Sequence, residues 1–214
     1  ALDLGASDIV IKPIDSEELL ARVKTQVRKK RYLDALRARL DQSMELAVTD
    51  QLTGLHNRRY MRVQLESFVK RANMGGQPVS ILLCDIGHFK KVNDIHGHSA
   101  GDDVLREFGR RLRENIRPMD LACRYGGEEF VVIMPETSQA LAQAAGDRLR
   151  RIIAETPFPI GRGDELKVTM SGGVSTIIPS EDTIESLLKR ADDALYRAKS
   201  SGRNLIEVES VGFA

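Results

Sequence analysis

The 214-residue sequence has no tryptophan, only two cysteines and no excess of charge of either sign. With 32 Lys and Arg against 31 Asp and Glu, the formal net charge is +1. That balance provides no global basic field to hold nucleic acid nonspecifically, so an anionic ligand has to be gripped locally. Cys84 and Cys123 lie in apolar, strand-like runs and are expected as buried small hydrophobes rather than a disulfide or metal pair, which fits a reducing cytoplasm. No apolar run is long enough to cross a bilayer, and residues 1–8 lack the basic start and apolar core of a signal peptide. The expectation is a cytoplasmic protein without a membrane span. The four histidines show no zinc spacing, with His56 and His96 expected at the surface. A Gly-rich loop ending in Gly-Lys-Ser/Thr is missing as well, which argues against a P-loop nucleotidase.

What is present is an α/β pattern. Residues 1–13 read as a helix end, a Gly5 stop and an apolar strand, Ile9 to Ile11, closing on Lys12 and Pro13. Asp15 or Ser16 can cap a helix whose first turn carries Glu17 and Glu18 and whose apolar face is Leu19, Leu20, Val23 and Val27. After the basic run Arg28 to Arg31, the apolar phase shifts and resumes as Leu33, Leu36, Leu40 and Ala47, a short seam with Ser43 in one slot. A continuous helix from Ser16 to Val48 would be about 50 Å long and would serve as a spacer or dimerisation stalk.

From Thr49 onward helices are expected near 58–72, 89–95, 102–116, 139–155 and 184–200, and strands at 79–85, 121–125, 129–134, 167–176 and 204–208. Residues 157–164, rich in Pro and Gly, read as a surface loop. The fold class is α/β, a mixed central sheet surrounded by helices and preceded by a long N-terminal helix.

Two acidic strand ends stand out. The apolar strand from Val79 ends on Asp85, which a plain structural reading would make a helix cap. Tyr125-Gly126-Gly127-Glu128-Glu129-Phe130 is a tight hairpin turn followed by two carboxylates, which could equally be solvated. Strand alternation sends Glu128 and Glu129 to opposite faces unless a bulge intervenes, so one of them is expected to share a face with Asp85. Converging carboxylates at a sheet edge call for a hard divalent cation, and Mg²⁺ with a nucleoside triphosphate suits them.

These residues resemble the GGDEF family of diguanylate cyclases. The likeness rests on Gly126 to Phe130, Asp50 to Arg58, Phe89 to Asp94, Gly97 to Asp102 and Ala194 to Lys199, and covers about residues 49–209. It implies a nucleotidyl-cyclase-like palm at 49–214. Residues 1–31 resemble the C-terminal end of a response-regulator receiver domain, with 32–48 as a linker helix. Lys12 then matches the receiver's phosphate-sensing lysine, and Pro13 is expected after a cis bond.

The implied reaction joins two GTP molecules into cyclic di-GMP with release of two pyrophosphates, at a head-to-head homodimer. By resemblance, Asp85, Glu128 and the Ile86 carbonyl hold Mg²⁺, with Mn²⁺ as a substitute. Glu128 is the candidate to deprotonate the attacking 3′-hydroxyl, and Glu129 adds an acidic contact. Asn93 and Asp102 would read guanine, though both could instead cap helices. His88, Phe89 and Lys90 would hold the triphosphate, His98 would belong to the nucleotide loop, and Lys199 and Arg203 would neutralise charge or simply end a solvated helix.

Arg117 and Asp120 form an R-x-x-D pair matching the family's inhibitory site for cyclic di-GMP; the plain alternative is a surface ion pair. Arg71 and Arg148 are further candidates there, without a motif. Gly87 stands where the family commonly has a second acidic residue, and is expected to loosen that loop. An upstream kinase is implied for a full-length protein, and nucleic acid is not. The rival reading is a catalytically silent module that binds GTP or cyclic di-GMP as a signalling receptor.

Overall fold

The structure, a computed structural model, describes residues 16–209, apart from the side chains of residues 37–47 and of Arg162. The readings made for Ala1 to Pro13, including Lys12 and Pro13, lie outside those residues. Two compact units divide between Ala47 and Val48.

The first unit contributes α1 (Ser16–Val48), a single helix of 33 residues with Glu17 and Glu18 in its first turn. No break in the helix marks the boundary expected at residue 31. Glu18 pairs with Arg22 one turn on, at 2.9 Å. Leu19, Leu20, Val23, Val27, Leu33 and Leu36 are all exposed.

The second unit is a six-stranded sheet with helices on both faces. Its strands are β1 (His56–Asn57), β2 (Val79–Ile86), β3 (Leu121–Gly126), β4 (Glu129–Pro135), β7 (Met170–Thr176) and β8 (Ile206–Val208). Their order is β1-β3-β4-β2-β7-β8. The outer pairs β1–β3 and β7–β8 are parallel, and the inner pairs are antiparallel. The strand β2 is buried at every position, and the period of two divides its side chains between two cores. Leu82, Cys84 and Ile86 join the layer of α3 (Phe89–His96), α4 (His98–Glu114) and α5 (Gln139–Glu155). Val79, Ile81 and Leu83 join the layer of α2 (Arg58–Asn73) and α6 (Ile184–Ser200). Cys84 and Cys123 are both free and buried.

Residues 157–164 do not form the irregular loop expected from their Pro and Gly content. Phe158–Ile160 (β5) pairs with Asp164–Leu166 (β6) around a 3-10 turn. Phe158 is fully buried, with the Arg111 guanidinium 3.9 Å from its ring centroid. Arg111 also donates to the Thr156 and Pro157 carbonyls, each at 2.6 Å, so a buried cation ties this hairpin to α4. That helix begins at His98, four residues before the expected start, because Gly97 takes φ 83° and lets α3 and α4 share one corner residue. The strand expected from Lys167 begins only at Met170.

Candidate active site

The acidic strand ends meet on the α2/α6 face. Asp85 is opposite Glu129 on β4 and Ser171 on β7 in the ladder, and directly opposed residues share a face. Glu128 lies in the turn before β4, outside the strand alternation, and its carbonyl accepts from the Ile86 N–H at 3.3 Å. The β3 strand bulges between Arg124 and Gly126, which with Gly127 at φ 53° sets the turn.

The two glutamates feel each other and Asp85. Burial raises the Glu128 carboxyl above the usual range, the Asp85 charge raises it further, and Lys199 partly opposes both. Glu129 is also raised, first by burial and then by Asp85 and Asp192, with Lys199 and Arg58 opposing. The Lys199 ammonium is 2.9 Å from Asp85 Oδ2. It reaches there because α6 rides directly on β7: a Cβ added to Gly173 would stand 2.1 Å from the Ala191 carbonyl oxygen and 2.3 Å from the Leu195 nitrogen. Asp85 is therefore a ladder residue with an ion-pair partner and not the helix cap that a plain reading would make it.

His88 begins the next element in the left-handed region at φ 58°, and no side chain caps α3. The Phe89 side chain is buried and anchors that helix end in the core, while His88 and Lys90 are exposed. Gly87 does not loosen this loop. Its N–H donates to the Thr169 carbonyl at 2.8 Å, and a Cβ there would stand 2.3 Å from Thr169 Oγ1.

Neither Asn93 nor Asp102 caps a helix: the caps are His88 and Gly97, and both residues lie inside α3 and α4. His98 is the first residue of α4 rather than a loop residue. Arg203 is exposed in the turn after α6, at φ 61°.

All the acidic donors are hard oxygen ligands, their mutual repulsion is already met by one cation, and the Ile86 carbonyl adjoins Asp85. The chemistry of this set fits a divalent ion. Among the described residues no three His, Cys, Asp or Glu side chains are grouped to hold a metal by themselves, so backbone and substrate oxygens would have to complete the coordination.

A second site lies beyond the far end of β3. Arg117, Asp120 and Arg148 line a cavity of about 250 Å³ with Leu141, Ala144 and Ala145. Asp120 Oδ2 accepts from the Arg117 backbone N–H at 3.0 Å and from its Nε at 3.4 Å, so the ion pair exists. Asp120 Oδ1, however, is buried and has no hydrogen-bond partner. Arg71 is not in this lining; its guanidinium packs 4.5 Å from the Phe68 ring centroid.

Arg124 belongs to no motif, yet it braces the acidic hairpin. Its Nε and Nη2 donate to the Gly127 carbonyl at 3.0 and 2.8 Å, and Nη1 reaches both Asp50 oxygens at 3.2 Å. Asp50 in turn accepts from the Thr53 N–H and hydroxyl. A brace thus runs from the first turn of this unit to the acidic hairpin. Its only sequence signal was a charged residue in an otherwise apolar strand.

A family model described as "Diguanylate cyclase, GGDEF domain" matches residues 47–205. The chain is 59% identical over 207 residues to "Response regulator PleD" of Caulobacter vibrioides, covering 96% of this chain and 46% of that protein. It is 41% identical over 174 residues to "Diguanylate cyclase DgcP" of Pseudomonas aeruginosa, covering 81% and 26%. The chain thus spans less than half the length of these curated relatives. Among solved structures, the coiled coil and GGDEF domain of DgcB from Caulobacter crescentus, in complex with c-di-GMP, superposes with TM-score 0.79 at 30% identity, covering 89% of this chain and 98% of that one. Diguanylate cyclase SiaD from Pseudomonas aeruginosa, in complex with its activator SiaC, gives TM-score 0.74 at 34% identity, covering 90% and 74%. With acidic strand ends, an uncapped helix start and a family match across most of the second unit, the chain belongs to the GGDEF family.

Proposed function

We propose that this chain is the catalytic portion of a diguanylate cyclase, which condenses two GTP molecules into cyclic di-GMP and releases two pyrophosphates. The observation that carries this reading is the meeting of Asp85 and Glu128 from two strand ends, with Lys199 on Asp85, beside the start of α3. Asn93 and Asp102 hold the guanine; a carboxylate accepts from the guanine N1 and N2 positions, which adenine cannot reproduce, so GTP is preferred to ATP. The N–H groups of His88 and Phe89 meet the phosphates at the helix start, with the Lys90, Lys199 and Arg203 charges nearby and His98 at the α4 end of the nucleotide seat.

Asp85, Glu128 and the Ile86 carbonyl would hold Mg²⁺ or Mn²⁺, which would neutralise charge on the phosphate oxygens. Glu128 accepts the proton of the ribose 3′-hydroxyl, whose oxygen forms a bond to the α-phosphorus of the GTP on a second copy as pyrophosphate leaves. A carboxylate at that position suits a general base. Glu129 keeps a further negative charge beside it. Each copy supplies one half of the site, so the working form is a head-to-head homodimer, and the exposed apolar residues of α1 are suited to pairing with a second copy.

The cavity of Arg117, Asp120 and Arg148 takes the cyclic dinucleotide product and restrains the enzyme. The arginines grip phosphate, and the Asp120 carboxylate, which already holds Arg117, is chemically suited to a guanine edge. In this reading residues 1–31 are the end of a receiver domain, residues 32–48 are its linker, and a kinase acts upstream. Mass spectrometry of the purified chain after incubation with GTP and Mg²⁺, with copurified dinucleotide first removed, tests the proposal. Cyclic di-GMP is the expected product. GTP bound but unconverted, at protein concentrations where dimers form, would mean a silent receptor module instead.

A further inference from the structure

The corner between α3 and α4 is built around one carboxamide. Gly97 ends α3 and begins α4; its N–H donates to the Asn93 carbonyl at 2.9 Å, and its own carbonyl accepts from Gly101 at 3.3 Å. The chain therefore folds the first turn of α4 back over the last turn of α3. Gly101 is buried in that contact. A Cβ at position 101 would stand 2.0 Å from Asn93 Oδ1, 3.0 Å from Asn93 Cγ and 3.2 Å from Phe89 Cζ. The Asn93 amide oxygen thus points into the space that the missing side chain leaves open.

We infer that Gly101 is the seat of the Asn93 carboxamide and a positioning residue for guanine recognition, a role that rests on the guanine reading proposed above. Any side chain at 101 has to displace the amide oxygen by more than 1 Å to reach ordinary contact distance. Hydrogen bonds between heavy atoms occupy a window of only about half an ångström, from ~2.7 to ~3.2 Å. A displaced amide therefore loses its bond to the base even though Asn93 is still there. Phe89 Cζ would stand 3.2 Å from the same added Cβ, so a side chain at 101 finds no free space on that side either. The adjacent Asp102 is carried on the same turn of α4, which gives the two guanine-reading side chains a fixed spacing.

A double-mutant cycle tests this, using fluorescent mant-GTP as the probe, with affinity measured by titration and competition by unlabelled GTP and ATP, alongside KM and kcat. Gly101→Ala is expected to weaken GTP affinity about tenfold, to narrow the preference for GTP over ATP, and to leave kcat at saturation within about twofold. In an Asn93→Ala background the same Gly101→Ala change is expected to alter affinity less than twofold, because the displaced amide is already gone. Should Gly101→Ala alone fail to fold, recovery of the fold in Asn93→Ala/Gly101→Ala supports the seat, and failure of both proteins to fold overturns it. Additive losses across the cycle would overturn the inference while leaving guanine reading by Asn93 intact. An Asn93→Ala variant with unchanged GTP affinity and unchanged preference over ATP would remove the guanine reading itself, and the inference with it.

Discussion

Replacing Gly173 by alanine probes the link between core packing and the site. The added Cβ would stand 2.1 Å from the Ala191 oxygen, 2.3 Å from the Leu195 nitrogen and 2.9 Å from the Ala194 carbonyl carbon. These are backbone atoms of α6, so no side-chain rotation relieves the contact. The helix has to move out by about 1 Å or the strand has to bend, and over-packing of this kind costs about 3 kcal/mol or more. For a unit of this size a loss of that order lowers Tm by about 6 °C or more. The same displacement draws Lys199 away from Asp85, now 2.9 Å apart, so GTP affinity should fall along with stability. Gly146→Ala is the control. Its Cβ would come no nearer than 3.3 Å to Ile206 Cγ2, and the helix-propensity gain of about 1 kcal/mol offsets the tight fit. Scanning calorimetry of both variants decides the matter. A Gly173→Ala protein melting within 2 °C of wild type, with unchanged nucleotide affinity, would refute the claim that close α6–β7 contact positions Lys199.

Burial pushes the Asp50 carboxyl up, but its Thr53 hydrogen bonds and the Arg124 charge outweigh burial and hold it below the usual aspartate range. Its stabilising contribution is therefore complete above about pH 4 and lost as pH falls through the depressed value. Urea denaturation of Asp50→Asn should show a deficit against wild type at pH 7 that shrinks below pH 4; a deficit independent of pH would contradict this. Phe158→Ala should cost about 3 to 5 kcal/mol in chemical denaturation, as a fully buried ring that also faces Arg111 is removed. Arg148→Ala should raise the concentration of cyclic di-GMP needed for half-inhibition by about tenfold or more, as expected for loss of a charge-assisted phosphate contact. Its uninhibited rate should stay unchanged.

The apolar run at β2 and the Gly-Gly turn made the central sheet and its acidic end legible in the sequence. Period-two alternation also placed Asp85 and a neighbouring glutamate on one face. The same rule did not govern Glu128, because a turn residue has no obligatory face. The β5–β6 hairpin was hidden because Pro157, Pro159, Gly161 and Gly163 dominate its composition, while only Phe158 and Ile160 carry the buried alternation. Arg148 was a candidate without a motif to support it, and Arg124 was not anticipated at all, for a different reason. Their roles come from tertiary placement: Arg148 reaches the Arg117–Asp120 cavity from α5, and Arg124 reaches Asp50 across 74 residues. The capping reading of Asp102 failed because Gly97, with φ 83°, starts α4 without a capping side chain, and that of Asn93 failed because α3 starts at His88.

The central claim is that Glu128, held beside Asp85 at the strand ends, carries the chemistry rather than only the binding. Measuring GTP affinity and cyclic di-GMP formation by Glu128→Gln and wild type side by side tests it most directly. The account predicts that the variant still binds GTP but forms product at least ~100-fold more slowly. A Glu128→Gln protein that makes cyclic di-GMP at the wild-type rate would contradict it.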